Sequence, residues 1–217
     1  MRRFASLMAI GTLGAALLLS SASSASAGSH TTTCTDQLAA GTYGRVVVPE
    51  GAVCLSDGPV TIRGGLYIYS GATFVLGSDE NPTPTGSISG GVHATDAASV
   101  QVHNATINGG VRIHGGSGPF GPPFDVTWNA IEDNRINGGA TVDGYNGFWF
   151  GFIRNNVYGS VTLTNNVLED PDGNEYVTNT IHGNLNCSGN SPAPQVGDSE
   201  GSPNTVTGLK RGQCAGL

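Results

Sequence analysis

The residues best suited to catalysis in this chain are an arginine, a histidine and an aspartate near its middle. Arg112 and His114 alternate within one short segment, and Asp143 ends a similar segment further along the chain. An aspartate beside a histidine can orient the imidazole as a general base, and a guanidinium can bind a substrate carboxylate. Arg112, His114 and Asp143 are therefore the candidate catalytic group, suited to abstracting a proton next to a uronate carboxylate.

Two further groups of oxygen-bearing side chains suggest other chemistry. A paired-carboxylate hydrolase site could draw on Asp125, Glu132, Asp133 and Asp143. Oxygen ligands at alternate positions, as in a calcium loop, are offered by Asp170, Asp172 and Asn174. The segment from Asp170 to Gly173 is equally typical of a tight turn, so the calcium site and the turn both remain open.

Aromatic and imidazole side chains provide candidate contacts to sugar rings. The substrate-binding candidates are Tyr67, Tyr69, His93, Trp128, Tyr145 and Trp149. The last three lie in or beside the two longest interruptions near Arg112, which are residues 115–123 and 144–151. Packing of these rings against the body of the protein is the alternative, because large aromatic side chains are mostly buried.

A repeated phrase places all these residues in one register. It reads Ile or Val, any residue, Gly, a small residue, and then alternating aliphatic and polar residues. Its copies start at Ile62, Ile88, Ile107, Ile136, Val157, Ile181 and, in broken form, Val206. The polar positions predict two outward columns, one through Tyr67, His93 and Arg112 and the other through Tyr69, His114 and Asp143. His114 and Asp143 are then neighbours on successive strands.

The repeat predicts an all-β fold, a single right-handed parallel β-helix of about seven coils. Alternation of period two indicates strands, no mature segment has helical periodicity, and repeats of this length stack as a solenoid. A β-sandwich would lack such a superposable repeat. Asparagines two residues before the phrase predict a ladder at one corner: Asn134, Asn155, Asn179 and Asn204. Asn104 lies three residues before, which suggests an extra residue in its coil.

With this repeat and its asparagine corner, residues 43–206 resemble the pectate-lyase-like β-helix superfamily. The resemblance implies a partner among extracellular polysaccharides, since most members act on these. The Asn-Thr-Asp, Gly-His-Gly and Trp-Ile-Asp-His motifs of its enzymes are not found here. No catalytic residue is carried over from the family.

The N-terminus predicts export. Residues 1–27 combine an Arg pair, an apolar run and an Ala25-Ser-Ala27 cleavage site, as in a secretory signal peptide. The apolar run is short for a membrane anchor, and no other segment is expected to span a membrane. The β-helix domain is then 28–217. A net charge of −7 with only 9 Lys and Arg argues against a nucleic-acid partner.

Export makes the four cysteines candidates for disulfides. Pairing of close neighbours, Cys34 with Cys54 and Cys187 with Cys214, would clamp the two ends of the solenoid. The sequence therefore predicts a secreted β-helix that binds extracellular polysaccharide, with cleavage as an open question. The alternative is a non-catalytic envelope or matrix protein that acts as a spacer or adhesive surface.

Overall fold

A computed structural model describes residues 30–78, 80–118, 128–196 and 201–217. Within these residues the chain contains no helix and forms three parallel sheets. Sheet A stacks β1 (Thr31–Thr33), β3 (Arg45–Val48), β6 (Leu66–Ile68), β9 (Val92–Thr95), β12 (Val111–His114), β15 (Ala140–Asp143), β18 (Val161–Thr164), β21 (Leu185–Ser188) and β23 (Lys210–Gly212).

The other two sheets complete each coil. Sheet B stacks β4 (Val53–Ser56), β7 (Thr73–Leu76), β10 (Ser99–His103), β13 (Trp128–Glu132), β16 (Trp149–Ile153) and β19 (Asn174–Val177). Sheet C stacks β2 (Gly41–Tyr43), β5 (Val60–Ile62), β8 (Gly86–Ser89), β11 (Ala105–Asn108), β14 (Arg135–Ile136), β17 (Asn156–Val157), β20 (Thr180–Ile181) and β22 (Thr205–Val206). The chain passes through C, A and B in turn, so the predicted parallel β-helix is confirmed.

Alternate residues of each strand form the core. In one coil, Ile107 from sheet C, Ile113 from sheet A and Ile131 from sheet B are all buried. The phrase thus encodes the bend between sheets C and A followed by a strand of sheet A. One more copy of this bend precedes Ile62. Tyr43 pairs with Ile62 and Val46 pairs with Leu66, so Gly44 and Arg45 stand where the next coil has the three residues 63–65. That shortening hides the first coil from the sequence pattern.

The predicted asparagine ladder forms at the corner between sheets B and C. Asn134, Asn155, Asn179 and Asn204 bond in sequence from coil to coil, and all are buried. The prediction of an extra residue in the coil of Asn104 is wrong. Asn104 has φ 56° and occupies the left-handed position that Asp133 (φ 57°) takes one coil later, while Ala105 stands in the ladder row. Asparagine tolerates this conformation better than most residues.

A second ladder, which the sequence analysis missed, lies at the corner between sheets A and B. The backbone N–H of Tyr145 donates to Asn166 Oδ1 at 3.0 Å, and that of Asn166 donates to Asn190 Oδ1 at 3.1 Å. Asn190 in turn donates to Gln213 Oε1 at 2.9 Å. The signal was present, since Asn166 and Asn190 occupy equivalent positions after their phrases.

Both predicted disulfides are present. Cys34 is bonded to Cys54 and Cys187 to Cys214, with Cα–Cα distances of 5.5 and 5.3 Å. Each bond ties a terminal segment to a neighbouring coil, and these disulfides fit an extracellular protein. No helix long and apolar enough to cross a membrane is found among the described residues. The predicted signal peptide, residues 1–27, lies outside the described residues.

Candidate functional site

The outer face of sheet A brings the predicted catalytic group together. In the paired strands, Arg112 aligns with His93 on one side and Thr141 on the other, and His114 aligns with Asp143. Both outward columns therefore have the predicted register. Arg112 and His114 point the same way because alternate residues of a strand face the same side. Both side chains are exposed.

His114 and Asp143 are in direct contact. His114 Nδ1 lies 3.2 Å from Asp143 Oδ2, with the imidazole side chain 72% exposed and the carboxylate side chain 34% exposed. The other carboxylate oxygen, Oδ1, accepts hydrogen bonds from Thr164 Oγ1 at 2.7 Å and Asn165 Nδ2 at 3.0 Å. The Thr164 bond, then the Asn165 bond, and the nearby His114 hold the pKa of Asp143 below its ordinary value, against a smaller opposing effect of burial. Asp143 is therefore an anion at neutral pH.

Beside this pair, three side chains are stacked along the column of Arg112. The rings of Tyr67 and His93 lie with centroids 4.9 Å apart and planes 15° from parallel. The guanidinium carbon of Arg45 lies 4.9 Å from the centre of the Tyr67 ring. His93 is held further by a contact of 2.8 Å between its Nε2 and the carbonyl oxygen of Gly90. The stack holds two aromatic rings in place next to Arg112.

Tyr69 and Arg112 are also accessible on this face. Tyr69 is 48% exposed. Arg112 forms no ion pair with any carboxylate in the described parts of the chain. Cationic and aromatic groups are thus available to a partner on the same surface as the His114–Asp143 pair.

The aromatic residues expected at the rim of this face lie elsewhere. Tyr145 is 2% exposed, and its hydroxyl accepts hydrogen bonds from Asn129 Nδ2 and from the backbone N–H of Gly118. Burial raises the pKa of Tyr145 to about 12. Trp149 lies on sheet B, where its Nε1 donates to Glu175 Oε1 at 3.2 Å. Trp128 of β13 is the strand partner of Trp149 in β16. The side chain of Trp128 lies outside the described part of the structure. None of the three is placed on the outer face of sheet A.

The acidic segment predicted as a calcium loop is not arranged as one. Asn174 is fully buried, and its Oδ1 accepts a hydrogen bond from the Tyr176 hydroxyl at 2.6 Å. Asp170 Oδ1 instead accepts from the backbone N–H of Asp172 at 3.1 Å, as in a turn. Asn174 faces inward because it is the strand partner of the buried Phe150. Among the described residues, no three His, Cys, Asp or Glu side chains could jointly hold a metal ion.

The fold also separates the carboxylates that were candidates for a hydrolase pair. Glu132 and Asp133 lie at the end of sheet B, where Arg154 donates to Glu132 Oε2 at 3.2 Å and to both oxygens of Asp133 at 2.8 Å. Asp143 is on sheet A, and Asp125 lies outside the described residues. Glu132 and Asp133 therefore do not form a hydrolase pair with Asp143.

Sheet B carries a buried charged group that sequence reasoning missed. His103 Nδ1 lies 3.7 Å from Glu132 Oε2, with both side chains less than a tenth exposed, and Arg154 contacts the same carboxylate. His103 and Glu132 are direct partners in the strand register. A repeat alignment of sheet B would have revealed this pairing, but the connections from sheet A to sheet B vary in length.

The group on sheet A has the properties of a binding surface with one acid–base element. Arg112 can hold an anion, the rings of Tyr67 and Tyr69 can contact apolar faces of a ligand, and His114 can exchange a proton.

Comparison of the chain with protein-family models, with curated proteins and with solved structures returned no match.

Proposed function

We propose that this is a secreted protein that binds an extracellular polysaccharide along the outer face of sheet A. The observation that carries the proposal is the exposed guanidinium of Arg112, which lies in register with His93 and shares a strand with His114. A polysaccharide with carboxylate groups would give this cation a partner. The predicted signal peptide and the two disulfides support an extracellular location.

The shape of the face suits an extended chain. From Tyr67 to Asn186 the column crosses six successive strands, which corresponds to roughly 24 Å at the usual spacing of strands. The resemblance to the pectate-lyase-like superfamily supports the same class of ligand. The site is the outer face of a sheet with the rings of Tyr67, Tyr69 and His93 at one end, which favours several weak contacts along a polymer over enclosure of a single sugar.

The charge distribution supports an acidic polymer. The protein carries a net charge of −7, with only 9 Lys and Arg against 16 Asp and Glu, so an exposed cation that forms no ion pair among the described residues, as Arg112 is, can anchor an anion. Arg154, by contrast, is bound to two carboxylates on sheet B. An anionic polymer would be repelled by much of the molecule and attracted where Arg112 lies beside His93 and His114.

Cleavage by β-elimination is a second candidate function, favoured by the contact between His114 and Asp143. In this reaction the imidazole removes the proton from the carbon next to a uronate carboxylate, while Arg112 neutralises that carboxylate. The electron pair of the broken C–H bond forms a C=C bond as the neighbouring C–O bond breaks. The departing oxygen keeps its electron pair and takes a proton from water.

The test is a binding screen of residues 28–217 against acidic and neutral polysaccharides. Arg112→Ala is expected to weaken binding of the acidic members by about tenfold, which corresponds to about 1.4 kcal/mol. Arg135→Ala is the matched control, because Arg135 is an exposed arginine of sheet C that packs on Tyr158. Equal effects of the two substitutions would contradict the proposed site.

The same polysaccharides test cleavage. Formation of unsaturated sugar ends in the presence of the wild-type protein, and its loss in His114→Ala, is the outcome expected for elimination. Binding without new ends would assign the face to binding alone. No binding across the panel would overturn the proposal and favour the alternative of a structural envelope or matrix protein.

A further inference from the structure

We infer that Thr164 and Asn165 are positioning residues that fix Asp143 and, through it, leave Nε2 of His114 as the proton-accepting atom on the surface. The inference rests on the proposed function in one respect, that the outer face of sheet A is the working surface. The two residues lie one coil beyond Asp143 and do not contact His114 in the described structure.

The two oxygens of the Asp143 carboxylate have different hydrogen-bond partners. Thr164 and Asn165 both donate to Oδ1 of Asp143, whereas Oδ2 faces Nδ1 of His114. Two donors on one oxygen fix the plane of the carboxylate and direct its second oxygen at the ring. Asp143 has no counterpart for this purpose on the other side of His114, where Thr95 is the strand partner.

The contact between Asp143 and His114 determines which ring nitrogen carries the proton. An ionised carboxylate only accepts hydrogen bonds, so the hydrogen between Asp143 Oδ2 and His114 must be on Nδ1. In the neutral imidazole the other nitrogen, Nε2, then carries a lone pair. The imidazole is 72% exposed, and Nε2 makes no hydrogen bond within the described parts of the chain. A ligand on this face would meet a proton acceptor at that atom.

The backbone conformation at Asn165 is one that glycine usually occupies. This residue has φ 57°, at a corner where neighbouring coils have Gly144 (φ 73°) and Gly189 (φ 68°). Glycine would adopt this conformation without steric cost, so the side chain of Asn165 is retained where the backbone does not need one. Gly189 leaves the space for it, since a Cβ there would collide with Asn165 Oδ1. The side-chain amide nitrogen of Asn165 is thereby directed at Asp143.

The experiment is nitrogen NMR of the His114 imidazole in the full mature chain, without polysaccharide. In the wild type, neutral His114 is expected to carry its proton mainly on Nδ1. In the double variant Thr164→Val with Asn165→Gly, the fraction protonated on Nδ1 should fall by about twofold or more, because Asp143 loses two hydrogen bonds that orient it. Asn165→Gly keeps the backbone conformation that glycine already adopts at this corner.

Two matched variants separate positioning from a general structural effect. Thr162→Val removes a hydroxyl from the same strand without touching Asp143, and should leave the tautomer unchanged. The single variant Thr164→Ser keeps the hydroxyl and Asn165, so it should keep most of the wild-type fraction protonated on Nδ1. An unchanged Nδ1 signal in the folded double variant would overturn the inference, as would an equal change in Thr162→Val.

The readout is independent of the proposed function. If the tautomer responds as expected but no polysaccharide binds, the positioning inference stands and the proposed ligand class fails. If polysaccharides bind and the tautomer does not respond, the binding proposal stands and Thr164 and Asn165 have only a structural role.

Discussion

Asn155 Oδ1 accepts hydrogen bonds from both the backbone N–H and the side-chain amide of Asn134, at 3.1 and 3.2 Å. The amide nitrogen of Asn155 donates to the carbonyl oxygen of Ile131 at 2.7 Å. Asn155 is 1% exposed, so water cannot replace these bonds. The ladder satisfies backbone groups that the left-handed residues before Asn134, Asn155 and Asn179 would otherwise leave unpaired.

Replacement of Asn155 by alanine is expected to lower the free energy of unfolding by about 3 kcal/mol, because at least two buried backbone groups lose their partners. Urea denaturation of the mature chain measures the change. The control is Asn137→Ala, which removes an exposed asparagine that bonds Asn108 on the outer face. The control should stay within about 0.5 kcal/mol of the wild type. Equal losses would show that the ladder adds no specific stability.

The disulfide between Cys187 and Cys214 is expected to hold the last coil in place. Its removal by alanine substitution of both cysteines should cost about 3 kcal/mol, as for a crosslink that closes a loop of this length. Hydrogen exchange should accelerate most in β22 and β23 and least in β2 and β3. The converse substitution of Cys34 and Cys54 should reverse this pattern. Uniform acceleration along the chain would contradict independent clamping of the two ends.

The register of sheet A could be predicted because its phrase is rigid in length. The bend at Gly109 and Gly110 leads directly into Val111, and the same spacing recurs in later coils, so Arg112, His114 and Asp143 could be aligned by counting. Sheet B follows connections of variable length, so the places of Tyr145 and Trp149 could not be counted. Both were predicted on a loop rim, whereas Tyr145 packs in the core and Trp149 lies in a strand.

Polar residues that face inward were the other source of error. Asn174 lies at an alternate position after Asp170 and Asp172, which predicts three outward ligands if the segment is a loop. The strand begins at Asn174, and its side chain bonds the hydroxyl of buried Tyr176. Polarity alone does not reveal direction when the interior supplies hydrogen-bond partners. The same rule concealed the second ladder at Asn166.

The pH dependence of stability should reveal the environment of Asp143. Its folded pKa is below the ordinary value of 3.8, so its ionised form stabilises the fold. That contribution is complete above pH 3.8 and disappears as the pH falls through the lowered pKa. The difference in free energy of unfolding between wild type and Asp143→Asn should therefore shrink as the pH falls below about 4. A difference that stays constant into strong acid would contradict the hydrogen bonds assigned to Asp143.

Two tyrosines should separate stability from binding, since one is buried and the other lies on the proposed surface. Tyr145→Phe is expected to lower the free energy of unfolding by about 1–3 kcal/mol, because the amide of Asn129 and the N–H of Gly118 lose their acceptor. It should leave polysaccharide affinity unchanged, because the ring is 2% exposed. Tyr69→Ala should weaken binding severalfold, since Tyr69 is 48% exposed beside the Arg112 column.

Urea denaturation and the polysaccharide binding assay, applied to both tyrosine variants, check the pair. Tyr69→Ala should change stability by less than about 0.5 kcal/mol, as expected for an exposed side chain. Loss of affinity in folded Tyr145→Phe would place the binding surface at the corner between sheets A and B. Full affinity in Tyr69→Ala would remove this end of sheet A from the surface and confine binding to the strands around Arg112 and His114.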